Sequence, residues 1–139
     1  MIIPVSEIKK TLTELGALEV TVQQEANNVM FLSIFSIGGE RTGVFLIASE
    51  LGTQLFCQFF STFEQVFDKP GVDFYEVLDK LNTRLVIGHV QVKKQGEDYM
   101  VTYRSNHVGD PDALLANRSF RNFISFSVDM VGAVANDIS

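Results

Sequence analysis

The side chains best suited to metal binding or nucleophilic chemistry are few: His89, His107 and Cys57. Structural zinc sites usually take four Cys or His ligands at short, regular spacings, and these three are scattered. Cys57 lies in the run Leu55-Phe56-Cys57-Gln58-Phe59-Phe60. A catalytic thiol needs partial exposure and a neighbouring base, whereas a thiol inside an apolar strand behaves as a small hydrophobe. His89 reads as the start of a strand and His107 as part of a loop before the last helix. We expect neither a metal nor a cofactor.

The carboxylates are numerous but not grouped. Glu97-Asp98 reads as a hairpin loop, and Asp110 and Asp112 flank Pro111 at a helix start, where negative charge is favoured. Glu64, Asp68, Asp73, Glu76 and Asp79 make an acidic middle stretch without the fixed offsets and turn glycine of a divalent-ion loop. Gly38-Gly39 lacks the Gly-Lys-Ser/Thr ending of a phosphate loop and reads as a turn. Arg118 and Arg121, three apart on a helix, could grip an anion but fit a solvated face. No strained Ser turn or triad is recognisable. The expectation is a protein that is not an enzyme.

The elements follow from periodicity. Ser6 to Leu15 reads as a helix capped by Ser6 and ended by Gly16, with Ile8, Leu12 and Leu15 on one stripe. Leu18, Val20 and Val22 alternate with polar residues, as a half-buried strand does. Asn27-Asn28 marks a turn. Val29 to Ile37 is apolar on both faces, which predicts a strand covered on both sides. Strands follow over 43–48 and 54–60, each after a Gly-containing turn.

Asp73 to Leu85 reads as a second helix, capped by Asp73, with Val77, Leu78, Leu81 and Leu85 inward. His89 to Lys94 and Tyr99 to Arg104 form a hairpin. Asp110-Pro111 has the cap-then-Pro pattern of a helix start, and that helix would run to about Asn136 with Phe123, Phe126, Met130 and Val134 inward. The chain therefore reads as one α+β domain over residues 1–139, in the order α-ββββ-α-ββ-α. A four-strand antiparallel meander plus a hairpin would pack with three helices.

Composition narrows the partners. The formal charge is −6 and no basic run exceeds two residues, which argues against nucleic acid and anionic lipid. No apolar stretch nears the ~20 residues of a membrane span. Residues 1–10 lack the pattern of a secretory leader, and one cysteine allows no internal disulfide, so a cytoplasmic location is expected.

Twelve Phe stand against no Trp, and Phe31, Phe35, Phe45, Phe56 and Phe60 crowd the middle strands. Much of that is core. Any surplus on one sheet face would be a dimer interface or a docking surface for a protein or peptide. A Phe-lined small-ligand pocket between the sheet and the last helix is the alternative.

The order of elements resembles the YbjN-like bacterial domains, whose fold is similar to type III secretion chaperones. The residues that carry the likeness run from Phe74-Tyr75-Glu76-Val77-Leu78-Asp79-Lys80-Leu81-Asn82 through Ile87-Gly88-His89-Val90 to Tyr103. That likeness implies a non-enzymatic homodimer, chaperone-like or regulatory, that binds a protein partner.

Overall fold

The computed structural model describes residues 3–67, 71–96, 98–112 and 118–138. Helix α1 spans Val5–Glu14 and turns Ile8 and Leu12 fully inward. Its end is a Schellman motif: Gly16 takes a positive φ of 111°, the Gly16 N–H donates to the Thr13 carbonyl, and the Ala17 N–H donates to the Leu12 carbonyl. Its start differs from expectation. Pro4 holds the cap position and no side chain caps the helix, so Ser6 lies within it.

The chain then folds into β1 (Glu19–Gln24), β2 (Asn28–Ile37), β3 (Glu40–Leu51) and β4 (Gln54–Phe67). Gly38 and Gly39 join β2 to β3 with φ of 61° and 83°. Two positive φ values are what a type I′ hairpin turn demands, and only glycine adopts both cheaply. Helix α2 (Val72–Arg84) follows, then β5 (His89–Gln95), β6 (Asp98–Gly109) and helix α3 (Ser119–Ile138). The six strands form one antiparallel sheet in the order β1-β2-β3-β4-β6-β5. This is the expected α+β arrangement.

Several local expectations are corrected. Strands β3, β4 and β6 are longer than the alternation alone marked, because the cross-strand ladder carries them past their apolar residues. His107 is therefore inside β6 rather than in a loop. The expected helix start at Asp110 leads into residues 113–117, which lie outside the described residues, and the described last helix begins at Ser119. The Asp110 carboxylate accepts the Asp112 N–H at 2.9 Å, a bond that a helix cap and a local turn both make. Asp73 lies in the first turn of α2, and Gly71 holds the cap position without a side-chain bond.

All three described helices cover one face of the sheet. Ile8 and Leu12 of α1, Leu78 and Leu81 of α2, and Phe120, Phe123, Ile124, Val131 and Val134 of α3 share one core with Phe31, Leu46, Phe59 and Tyr103. Phe59 sits at the centre, with Tyr103 and Phe123 set edge-on at 6.0 and 6.2 Å. Burying aromatic edges against faces is the favoured geometry. Two expected inward residues, Val77 and Phe126, are instead 43% and 48% exposed. The burial stripes of α2 and α3 run through Leu78-Leu81 and through Phe120, Phe123, Ile124, Ser127 and Val131.

Candidate functional site

Among the described residues the polar candidates do not converge beyond one pair, Cys57 and His107. His89 and Arg104 are register partners on the face of the sheet that no described helix covers, while His107 faces α3 on the other. The His107 ring stacks on Phe123 at 5.2 Å with 22° between planes, and Phe120 lies 6.1 Å away. Burial holds its pKa below the ordinary value. His107 thus serves as an aromatic plate between β6 and α3.

Cys57 is the register partner of His107, a juxtaposition that the linear spacing of 57 and 107 could not signal. The thiol is wholly buried, and burial pushes its pKa up to about 12. At neutral pH it is a thiol, not a nucleophilic thiolate.

The remaining candidates have local partners or stand in solvent. Arg121 pairs with Glu14 at 2.7 Å, tying α3 to α1. That pair and the neighbouring Lys10 hold the Glu14 carboxyl below its usual range. Arg118 is exposed just before α3, and Asp73, Glu76 and Asp79 are exposed on α2. Asp68 and Glu97 lie outside the described residues. Among the described residues no group of three or more His, Cys, Asp or Glu is placed to hold a metal ion.

What the structure brings together is apolar. Because side chains alternate along a strand, the five expected phenylalanines divide. Phe31 and Phe35 are 0% and 3% exposed beneath the helices, which corrects their assignment to a surface. Phe45, Phe56 and Phe60 point the other way. Phe45 and Phe60 are register partners, stacked at 5.0 Å and nearly parallel. Leu32 pairs with Phe45, Met30 with Ile47, and Ile34 with Gly43.

Met30, Leu32, Ile34, Phe45, Ile47, Phe56 and Phe60 are all half-buried and none joins the core. No described helix covers them. The expectation that β2 is covered on both sides is therefore corrected for the described residues: its second face is apolar and none of the described helices lies on it. Neighbouring side chains on the pleat shade these seven, while Leu51 and Val108 at the margin of the same face are 56% and 51% exposed.

Arg104 borders this band on β6. Its guanidinium lies 5.4 Å over the Phe60 ring. Its Nε is buried without a hydrogen-bond partner. Arg104 is a site residue that sequence reasoning missed; only the cross-strand register of Phe60 and Arg104 reveals it.

The interface between the sheet and α3 is filled by Phe120, Phe123, Ile124, Val131 and Val134, each at most 3% exposed. A hollow of about 380 Å³ lies elsewhere, beside the β1–β2 turn, lined by Ile3, Gln24, Asn28 and Glu50 among others, and no Phe borders it. No described helix is long and apolar enough to cross a membrane.

No protein-family model, curated protein or solved structure matches this chain.

Proposed function

We propose that this chain is a non-enzymatic protein-binding module, chaperone-like or regulatory, and that the open face of its sheet is the docking surface. One observation carries the reading: seven large apolar side chains lie together on a face that no described helix covers. Sheets bury an apolar face against another layer, and contiguous apolar surface left open is commonly an interaction site. The YbjN-like, chaperone-like character rests on the order of elements and the residues from Phe74 to Tyr103.

Affinity purification from the native cell tests it, with wild type and Phe60→Glu as parallel baits. A protein retained by wild type and lost by the variant supports the reading. Identical recoveries from the two baits refute it.

The homodimer that the resemblance implies belongs to the same proposal. Light scattering at micromolar concentration should return twice the mass of one chain. A single-chain mass removes the homodimer and leaves the docking face standing.

A further inference from the structure

We infer that the occupant of the open face is an acidic amphipathic helix of a partner protein, anchored by a carboxylate on Arg104. The inference rests on the docking face proposed above and adds the chemistry of what docks there.

The described charges on this face sum to +1 with the histidine neutral, on a chain of −6. Among the described residues it carries Arg41, His89, Lys93 and Arg104 against Glu19 and Asp98. Glu19 and Arg41 neutralise each other at 3.3 Å, which leaves Lys93 and Arg104 against Asp98. Asp98 lies at the far hairpin end, about 20 Å along β6 from Arg104 by strand rise. The rest of the chain must then hold more than its full −6.

Arg104 is the cation set into the apolar surface. Its register neighbours are Phe60 and His89, and no ion pair is found for it among the described residues. A buried guanidinium nitrogen without a partner is costly, and an incoming carboxylate relieves that cost with a charge-assisted bond. Covering the face with a purely apolar surface would instead bury the cation unpaired. A second copy laid face to face brings Arg104, Lys93 and His89 to a surface whose carboxylates are Glu19, already paired, and Asp98.

The width selects a helix. Strands β2, β3 and β4, which hold the apolar band, span about 14 Å at the usual strand spacing. An α-helix with side chains is about 10–12 Å across. One lying along the band sets its acidic flank over β6 and Arg104.

The test uses three labelled synthetic helical peptides, each about 20 residues or 30 Å long. All share a Leu stripe; their flanks carry Glu, Gln or Lys. Fluorescence anisotropy against the full chain should show the Glu peptide bound about tenfold more tightly than the Gln peptide, and the Lys peptide weakest. Arg104→Gln should erase the Glu-over-Gln preference. Phe60→Glu should weaken all three, with circular dichroism confirming that both variants fold.

Equal binding of the three peptides, or a preference that survives Arg104→Gln, overturns the inference while the Phe60→Glu loss still upholds the docking face. Failure of every peptide to bind also overturns it. A dimer that Phe60→Glu dissociates assigns the face to a second copy. Co-sedimentation with phosphatidylglycerol vesicles that Arg104→Gln abolishes assigns it to lipid.

Discussion

Half-burial against Phe123 makes His107 a residue whose ionisation bears on folding. Its ring has the pKa shifted below the ordinary 6.5, with burial as the cause. The sign follows from linkage. The unfolded chain takes up a proton near the ordinary pKa, while the folded chain resists until lower pH. The stability His107 contributes is therefore present above about 6.5 and is lost as pH falls through the folded value. Between about pH 7.5 and about pH 5, where His dominates titration, the melting temperature of wild type should fall. His107→Gln should flatten that dependence. A wild-type profile that the substitution leaves unchanged would mean the ring is solvated in both states. Cys57 adds nothing in this range, because its thiol stays neutral up to about 12.

At the scale of elements, one edge of the sheet is closed by a side chain. Strand β5 ends one side, and an unpaired edge invites pairing with other chains. Asn82 of α2 closes it: its amide donates to the Val90 carbonyl at 3.1 Å and accepts the Val90 N–H at 2.7 Å. One side chain thus stands in for a neighbouring strand. The packing continues below, where the Tyr103 hydroxyl donates to the Ile87 carbonyl at 2.7 Å. Removing the amide orphans a half-buried donor and acceptor, so Asn82→Ala should cost about 1–3 kcal/mol. Urea melts would measure the loss. Faster hydrogen exchange at the Val90 amide would place it at this edge; exchange unchanged there would refute the capping role.

The same scale shows what could be read from the chain. Every described element was legible from periodicity, with Gly16 and Gly38-Gly39 marking ends correctly, because these signals are local. The start of α3 was not. Asp110-Pro111-Asp112 carries a helix-start pattern and the side-chain bond a cap makes, but the described helix begins at Ser119, past residues 113–117, which lie outside the described residues. Arg104 and the Cys57–His107 juxtaposition were also invisible, since each depends on which β4 residue meets which β6 residue. Strand alternation fixes which face a residue takes, but not which residue it meets across a pair joined through α2 and β5.

For the whole molecule, the division of the sheet into a helix-covered face and an open face separates stability from interaction. Phe59 and Phe60 are neighbours on β4 that point to opposite faces. Phe59 is 1% exposed, held between Tyr103 and Phe123. Phe60 is half-buried, stacks on Phe45 and carries Arg104, outside the core. Truncating a core Phe loses its transfer energy and leaves a cavity, so Phe59→Ala should cost about 3–5 kcal/mol. Phe60→Ala leaves no enclosed cavity and loses part-buried area, the Phe45 stack and the Arg104 contact, which puts its cost at about 1–2 kcal/mol. Chemical denaturation of the pair reads the difference directly. A gap of a few kcal/mol means that folding relies on one face and leaves the other available to a partner. Equal costs would mean that the open face is itself part of what holds the chain together.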